Sequence, residues 1–531
     1  MANTSREKGT LYDAFVFTFF FSLMIAACHF TEGYAVGALA LFGCYFIFVK
    51  QFGKALSIYL LIPLLSMINP LIIPKGMHFY LITRLSVLLM TGGLILTGSH
   101  RYAQSRQQIP LLGIFFFLVV ALISSIQGWF PLISYFKIIN FAVFILGIYE
   151  GTKNIHRNPD DVRMVRASLL AIAIIIIFGS LAVLPFPAIA YMTSLSDIIR
   201  EEGVEAAAEQ FSSSEKMGLF CGITNQSQFL GPALACIGGW VLCDMLLVER
   251  RVTLLHMALL AAVPPMLFMT RSRAGFFAFV VLLVMVWCYC LPAARLTFRA
   301  RRHVRSLMFV FLAFLAIGVA VLQIRNRTVS RLLRKTDDVI EDNRSFWEAL
   351  TNSRQGLIER CMGEFHRNPL LGSGFQVVEE HRDQFLTGQI SYFSAPIEKG
   401  ILPLMVLGET GIVGFVVFIL FLITFYLTCF RRRYAATLTL FTVFLATNMA
   451  EGTFFSPSGS GGVEWVVTVV GGFAIDMNVL LRAQRDEKKN EQRNRVLVPE
   501  VCDARPIHRV HLNRIELPDS IAGSDAAADE A

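Results

Sequence analysis

Apolar residues occur along this chain in long runs that are separated by short polar segments. Most runs approach the ~20 residues that a helix needs to cross a hydrocarbon core of ~30 Å. The pattern predicts about fourteen transmembrane crossings, within a range of about eleven to fourteen. The predicted crossings are 12–30, 33–49, 55–74, 79–97, 111–126, 131–149, 167–190, 228–247, 254–269, 274–292, 307–323, 399–429, 435–451 and 463–481. The run 399–429 is longer than one crossing needs, so its first residues either lie at the membrane surface or form a re-entrant turn.

Composition agrees with this pattern. The 531 residues are 55% hydrophobic and 16% charged, with a mean hydropathy of +0.58, whereas soluble domains carry about 25% charged residues. The predicted fold class is therefore all-α, a polytopic transmembrane helical bundle. We expect no cleavable signal peptide, because the first apolar run, 11–30, is long and aromatic and no small-residue cleavage site follows it.

Positive charge is concentrated in alternate loops between the predicted crossings. Loops rich in Lys and Arg usually lie in the cytoplasm. The basic positions in these loops are Lys50, Lys54, Arg101, Arg106, Lys153, Arg157, Arg163, Arg166, Arg250, Arg251, Arg295, Arg299, Arg301, Arg302, Arg305, Arg431, Arg432 and Arg433. With fourteen crossings, all of these loops and both termini lie on one side of the membrane. We therefore predict that both termini are cytoplasmic.

The predicted crossings divide the chain into a membrane domain and a tail. Residues 1–481 form the polytopic membrane domain. Two segments on its outer side are long, about 191–227 and about 324–398, and the second is the larger. Residues 482–531 form a cytoplasmic tail with little apolar surface to bury, so we expect it to be disordered beyond a short helix.

The larger outer loop is predicted to be partly helical. Its apolar positions recur at the spacing of one helix face. These positions are Leu357, Ile358, Cys361, Met362 and Phe365. The Asn368-Pro369 step should end the helix, and Gly372 and Gly374 permit a tight turn against the membrane domain. The residues expected to pack beneath that turn are Leu370, Leu371 and Phe375.

Two arginines interrupt the apolar sequence at a predicted outer turn. Arg271 and Arg273 lie between the runs 254–268 and 274–291. A guanidinium matches phosphate oxygens with two parallel hydrogen bonds, so this pair suits a phosphate or pyrophosphate ligand. The alternative is a pair of surface anchors whose side chains reach the lipid head groups. Because the two arginines break the positive-inside pattern, we favour the ligand.

Other chemistry has little support in the sequence. The ten cysteines form no CxxC or Cys/His metal spacing. Cys221 and Cys361 both fall in predicted outer loops, where they could form a disulfide in an oxidising compartment. There is no Gly-rich nucleotide loop and no Asp-rich metal motif. We therefore predict no cofactor, no metal and no nucleic acid partner.

A series of short motifs occurs in order along the chain. The motifs are Met269-Thr270-Arg271-Ser272-Arg273-Ala274-Gly275, Ser353-Arg354-Gln355-Gly356-Leu357-Ile358 through Asn368-Pro369-Leu370-Leu371-Gly372-Ser373-Gly374-Phe375, and Leu407-Gly408-Glu409-Thr410-Gly411-Ile412-Val413-Gly414. Together they resemble the O-antigen ligase and polymerase superfamily, bacterial membrane enzymes that move glycans from undecaprenyl pyrophosphate carriers. Gly218-Leu219-Phe220 with Asn225-Gln226 is a fainter match to the same family. The matches cover about 218–414.

The resemblance implies an inverting glycosyltransferase in the bacterial cytoplasmic (inner) membrane. Its partners would be membrane lipids, an undecaprenyl-pyrophosphate-linked glycan, and an acceptor glycan or glycolipid on the outer face. Such an enzyme, a ligase or a polymerase, uses neither a nucleotide sugar nor a required metal. The resemblance also implies that Arg271, Arg273 and Arg354 hold the pyrophosphate as its charge develops.

One position departs from the family pattern. Ligases of the family usually carry a His-Asn pair about eleven residues before the glycine matched to Gly411, and residues 396–404 contain no histidine here. Glu398 is the nearest titratable acceptor and our first candidate for the catalytic base. His381 is the second candidate. Alternatively, Glu398 pairs with a neighbouring cation and His381 is solvated.

Two other functions fit the same composition. A flippase for lipid-linked glycans would also be polytopic and cationic, but transporters usually place charges within crossings. The few such candidates are Arg84, Lys137 and Asp476. A non-catalytic envelope assembly protein would also explain the missing His-Asn pair. The long outer loop favours the enzyme.

The first prediction concerns topology. A reporter that is active only outside the cytoplasm, fused near Gln355, should be active in intact cells, because 324–398 is predicted to lie outside. The same reporter fused after Arg433 serves as the cytoplasmic control and should be silent. Activity near Gln355 from a reporter that works only in the cytoplasm would overturn the predicted topology.

Overall fold

A computed structural model describes most of the membrane domain. The described residues are 2–75, 77–97, 110–155, 158–191, 219–249, 253–294, 302, 305–306, 346–377 and 400–497. Within these ranges the chain is helical and contains no β-strand, apart from one isolated bridge between Ile68 and Thr224. The protein is therefore an all-α, multi-pass membrane protein. The chain forms two compact units, Met1–Leu481 and Arg482–Ala531, and only 482–497 of the second unit belongs to the described residues.

The described helices are labelled α1 to α15 in chain order. Their bounds are α1 Ala2–Phe30, α2 Ala35–Phe48, α3 Phe52–Met67, α4 Met77–Thr97, α5 Leu112–Ile126, α6 Pro131–Ile155, α7 Pro159–Ala182, α8 Pro187–Ala190, α9 Ser227–Cys243 with a π-helical end at Asp244–Glu249, α10 Leu254–Thr270, α11 Arg273–Met285 with its continuation Val286–Cys290 and Leu291–Ala293, α12 Phe346–Arg367, α13 Leu402–Arg432, α14 Ala435–Asn448, and α15 Gly459–Trp465 with its continuation Val466–Val470 and Gly471–Leu497.

Apolar helices occur at the predicted crossings that lie within the described residues. Eight of these helices are long and apolar enough to cross a membrane, and five shorter apolar helices accompany them. Each of these helices coincides with a predicted crossing. The predicted crossing 307–323 lies outside the described residues, so the count of fourteen stays a prediction.

Helix α7 begins eight residues earlier than its predicted crossing, 167–190. Asn158 caps the helix through a hydrogen bond from the Asp160 backbone N–H, and Pro159 occupies the first turn. The charged first turns remain helical because their arginines are paired. Arg163 contacts Asp13 at 3.2 Å, and Arg166 is also paired with carboxylates.

The ends of the membrane helices collect at two opposite faces of the bundle. The backbone N–H of Gly53, at the start of α3, donates to Asp161, at the start of α7, at 3.0 Å. At the other ends of the same helices, the Asn225 N–H donates to the Met67 carbonyl at 3.0 Å, and the Ile223 N–H donates to Ser180 at 3.2 Å.

We name these faces by their contents. The loop face is the end of the bundle formed by 219–226, 270–273, 368–377 and 449–458. The basic face is the opposite end, which carries Lys54, Arg163, Arg166 and Arg431. Arg271 and Arg273 thus lie at the face opposite the basic loops, as the charge pattern predicts.

A buried ion network joins three helices at the basic face. The Arg166 guanidinium donates to both carboxylate oxygens of Asp244, at 2.7 and 2.9 Å, and to Glu249 at 2.8 Å. The His256 ring lies 3.5 Å from Asp244. Because Arg166 and Asp244 are almost fully buried, either group alone would be a poorly solvated charge. The network therefore holds α7, α9 and α10 together.

The second prediction concerns this network. Arg166→Met leaves the buried Asp244 carboxylate and the half-buried Glu249 carboxylate without their guanidinium, which should cost about 3–5 kcal/mol of stability. The measurement is the thermal unfolding midpoint of the purified protein in detergent. Lys153→Met is the matched control, because it removes a more exposed i,i+3 pair with Glu150 that contributes only about 0–1 kcal/mol. Equal losses in the two variants would contradict the network's structural role.

Candidate functional site

The two sequence-predicted arginines lie in a tight turn between α10 and α11. Helix α10 ends at Thr270, and Arg271 takes a left-handed conformation with φ 48°. The Ser272 side chain then caps α11 by accepting a hydrogen bond from the Gly275 N–H at 3.2 Å. Arg273 is the first residue of α11, so its side chain starts beside the helix end whose free N–H groups carry partial positive charge.

The arginine turn is fixed against α9. A Cβ atom at Gly231 would overlap the Ser272 side chain, and one at Gly275 would overlap the Gly231 backbone. This close approach of small residues is typical of packed membrane helices. Ser272 is buried, whereas Arg271 is exposed and Arg273 is half-buried. The packing holds the backbone of the turn rigidly while Arg271 is open to a ligand.

A second element of the loop face is a break in α13. Gly411 has φ 63° and ψ −168°, which interrupts the helix between Leu402 and Arg432. The preceding residues pack on α12, because a Cβ atom at Gly408 would lie 2.9 Å from the Cys361 carbonyl oxygen. Residues 402–410 are therefore a separate short helix at the loop face, which accounts for the excess length of the predicted run 399–429.

The predicted loop turn fills this break. The Ser373 and Gly374 N–H groups donate to the carbonyls of Gly408 and Glu409, both at 3.0 Å. On the other side of the break, the N–H groups of 412 and 413 donate to the carbonyls of 369 and 370, at 2.9 and 3.4 Å. A broken helix leaves such groups without intrahelical partners. The turn supplies the missing partners for both halves of α13.

Glycine is required on both sides of this contact. Gly372 and Gly374 have φ of 74° and 104°, a region that side chains other than glycine rarely occupy. A Cβ atom at Gly372 would overlap the Glu409 backbone, and one at Gly411 would overlap the Leu370 carbonyl. The turn at Gly372 and Gly374 is thus a backbone-to-backbone contact with the membrane domain.

Side chains of α5 and α6 hold the same turn. The Ser124 hydroxyl contacts two carbonyl oxygens, that of Glu409 at 2.7 Å and that of Leu371, and its one hydrogen lies between them. Further along the turn, the Ser125 hydroxyl accepts a hydrogen bond from the Phe375 N–H at 3.2 Å. Ser134 donates to the Phe375 carbonyl and Lys137 donates to the Gln376 carbonyl, both at 2.9 Å. The outer loop is therefore anchored to helices far away in sequence.

The amphipathic helix expected in this loop is present as α12. Its predicted apolar positions are buried or half-buried, with Cys361 the most buried. Glu364 is also buried and accepts a hydrogen bond from Ser373 at 3.0 Å. The prediction for the residues beneath the turn was partly wrong. Phe375 is fully buried, but the Leu370 side chain is 63% exposed, because its carbonyl rather than its side chain faces α13.

The fainter motif, 218–226, runs along the loop face before α9. Cys221 and Cys361 are both free thiols, so the possible disulfide between them is not formed. The Cys221 thiol donates to the Ala190 carbonyl at 3.1 Å, and burial raises its pKa to about 12. A thiol with so little thiolate is unreactive, which suits a packing role.

Lys75 adds a further cation to the loop face, between α3 and α4. Its ammonium donates to the Ser66 carbonyl at 2.6 Å and lies 6.0 Å from the Phe79 ring centroid. Desolvation lowers the pKa of this half-buried group to about 7. Lys75 can therefore lose its proton near neutral pH.

The remaining predicted site residues are only partly placed. Arg354 belongs to α12, and its side chain lies outside the described part of the structure. Glu398 and His381 lie in 378–399, outside the described residues. The proposed grouping of Arg354 with Arg271 and Arg273 therefore stays a prediction.

Besides Glu364 and the motif residue Glu409, two buried carboxylates at the loop face were not singled out from the sequence. They are Glu451 and Glu464. Glu451 follows α14, and Glu464 lies near the start of α15. An acidic residue inside an apolar run, such as Glu464 in 463–481, was the available signal.

No protein-family model matches this sequence, and neither a curated protein nor a solved structure matches it. Its function is therefore inferred from the residues and their arrangement at the loop face.

The third prediction tests the contact between the loop turn and α13. Gly372→Ala and Gly411→Ala each place a methyl group against backbone and impose a positive-φ strain of about 1–3 kcal/mol. We expect faster proteolysis of the outer loop in both variants. Gly363→Ala on α12 is the control, because its Cβ atom would meet nothing within 4 Å. Wild-type protease resistance in both test variants would show that the turn does not depend on these glycines.

Proposed function

We propose that this protein is an O-antigen ligase-like glycosyltransferase. It transfers a glycan from an undecaprenyl-pyrophosphate carrier to an acceptor sugar or a lipid-linked acceptor. The loop face is the outer face of a bacterial cytoplasmic membrane, and the basic face with both termini is cytoplasmic. The loop face is where donor and acceptor meet.

One observation carries the proposal. The motifs that resemble the family are spread over 218–414, yet 219–226, the 270–273 turn, 368–375 and the break at Gly411 all lie at one face. Two of these motifs interlock through four backbone hydrogen bonds across the break. Motifs that occur by chance in a membrane protein would have no reason to share a face.

The arginine turn supplies positive charge for the pyrophosphate leaving group. The acceptor hydroxyl oxygen attacks the anomeric carbon, the bond from that carbon to the pyrophosphate oxygen breaks, and the leaving group takes the bonding electrons as added negative charge. Arg271 and Arg273 offer guanidinium groups for this charge, and the N-terminal end of α11 adds positive potential. Donors that are already in place stabilise developing charge most effectively.

A base must take the proton of the attacking hydroxyl. Glu398 stays our first candidate and His381 the second, since both belong to the segment that follows the anchored turn. Arg354 on α12 is a third ligand for the pyrophosphate in this proposal. Its helix is held at the loop face through the contacts of Cys361 and Glu364.

The structure gives less support to a flippase. Two of the candidate intramembrane charges have structural partners, since Lys137 donates to the Gln376 carbonyl and Asp476 accepts from the backbone N–H groups of Ala436 and Thr437. The third, Arg84, also takes part in an interaction. Lys137 and Asp476 thus hold helices and loops together, which favours the enzyme.

The fourth prediction tests the role of Arg273. Arg273→Lys keeps the positive charge but loses the two-pronged geometry, so glycan transfer from the lipid pyrophosphate donor should fall roughly a hundredfold to a thousandfold, equivalent to about 2.7–4 kcal/mol. The measurement is transfer of labelled glycan in proteoliposomes with equal amounts of folded protein. If the wild-type protein flips the same lipid across the membrane without glycan transfer, the protein is a flippase.

Arg431→Lys is the matched control for this experiment. Arg431 is exposed at the basic face, and an ammonium can replace a guanidinium that only reaches head groups. We expect wild-type transfer in this variant. Wild-type transfer by Arg273→Lys would make Arg273 a membrane anchor, and the absence of transfer and flipping in the wild type would favour a non-catalytic assembly protein.

A further inference from the structure

A cluster of buried oxygen atoms lies where α14 ends and α15 begins. We call it the oxygen cluster, and it consists of the side chains of Thr447, Asn448, Thr453, Ser460 and Glu464. All five residues are buried, and Thr447, Asn448 and Glu464 have no exposed surface. The cluster brings together two helices and the segment 449–458 between them.

The side chains converge on the Glu464 carboxylate. The hydroxyls of Thr453 and Thr447 lie 3.2 and 3.3 Å from Oε2, and the Ser460 hydroxyl contacts Oε1. The Asn448 amide oxygen lies 3.3 Å from the Thr453 hydroxyl. Both hydroxyl distances to Oε2 exceed the ~2.7–2.8 Å that is usual for O–H···O hydrogen bonds.

The cluster has too few hydrogen atoms for its oxygens. A hydroxyl group has one hydrogen to donate. The Asn448 amide NH₂ group is directed to the Phe444 carbonyl at 2.9 Å and to the Thr447 hydroxyl oxygen at 3.4 Å, and so gives no hydrogen to Glu464. The Thr447 hydroxyl lies only 2.7 Å from the Phe444 carbonyl, so its hydrogen is used there rather than on Glu464. Oε2 of Glu464 and the Asn448 amide oxygen then compete for the single hydrogen of Thr453. One of these two oxygens therefore faces the Thr453 hydroxyl oxygen with no hydrogen atom between them.

The cluster is also short of positive charge. Among the ion pairs of the described residues, none involves Glu464. A buried carboxylate is costly unless it is compensated. Thr447 and Asn448 form the C-terminal end of α14, which adds partial negative charge. One bound cation would compensate for both deficits, because it carries positive charge and coordinates oxygen lone pairs that have no hydrogen.

We propose that the oxygen cluster binds a monovalent metal cation, with Na⁺ as the favoured ion. One carboxylate balances one positive charge, and hydroxyl, amide and carboxylate oxygens are the ligands of hard cations. Soft-metal ligands are not part of the cluster. The ion ties α14, α15 and the segment 449–458 together at the loop face. This inference does not use the arginine turn and does not depend on the proposed function.

Binding of ²²Na⁺ to the purified full-length protein tests the proposal. We expect saturable binding that excess unlabelled Na⁺ displaces and N-methyl-D-glucamine does not. Glu464→Gln keeps the shape but removes the charge, so Na⁺ affinity should fall at least tenfold. Thr453→Val should weaken binding several-fold, because it removes one oxygen. The unfolding midpoint of the wild type should rise in NaCl relative to N-methyl-D-glucamine chloride at equal ionic strength.

Thr442→Val provides the matched control. Thr442 also lies on α14, and its hydroxyl donates to the Leu438 carbonyl at 2.8 Å and contacts Tyr426 at 2.9 Å, away from the cluster. This variant should bind Na⁺ like the wild type. The proposal fails if the folded wild type binds no ²²Na⁺ above background, which would leave a proton on Glu464, or if Thr453→Val and any folded Glu464→Gln bind as the wild type does. Should Glu464→Gln not fold, the wild type and Thr453→Val decide.

Discussion

The loop face depends on backbone hydrogen bonds that cross the break of α13. At Gly411 the helix loses intrahelical partners, and in apolar surroundings each lost partner is costly. The carbonyls of 408–409 accept from the N–H groups of 373–374, and the N–H groups of 412–413 donate to the carbonyls of 369–370. The break and the loop turn therefore require each other, because neither satisfies its backbone groups alone.

This mutual requirement positions the rest of the outer loop. Once the turn is seated, α12 lies along residues 402–410, with Cys361 against Gly408 and Glu364 bonded to Ser373. Serines of α5 and α6 hold the turn from the other side. In the proposed enzyme, the same anchor fixes both ends of the segment that carries the candidate bases, so a structural contact and a catalytic requirement coincide.

Charge is handled differently at the two faces. At the basic face, Arg166 is neutralised by carboxylates, and this network ties three helices together. At the loop face, Arg271 is exposed on a rigid turn, while Glu464 is buried among hydroxyl groups. An exposed cation on a fixed backbone suits an anionic ligand, and a buried carboxylate among neutral oxygens suits a cation. The two proposals therefore assign charged ligands to two separate places at the loop face.

The sequence alone determined the all-α membrane fold, the positions of the described apolar helices, the apolar face of α12 and the glycine turn, because each depends on residues that are near neighbours in the chain. The early start of α7 was also encoded locally, in the Asn158-Pro159 cap, but the hydropathy of its charged first turns concealed it. Tertiary structure alone decided that Leu370 is exposed and that the break at Gly411 is filled by the loop turn. Hydropathy describes how each side chain partitions between water and an apolar phase. The hydrogen-bond partner of a backbone group or of Glu464, in contrast, is set by segments that meet only after folding.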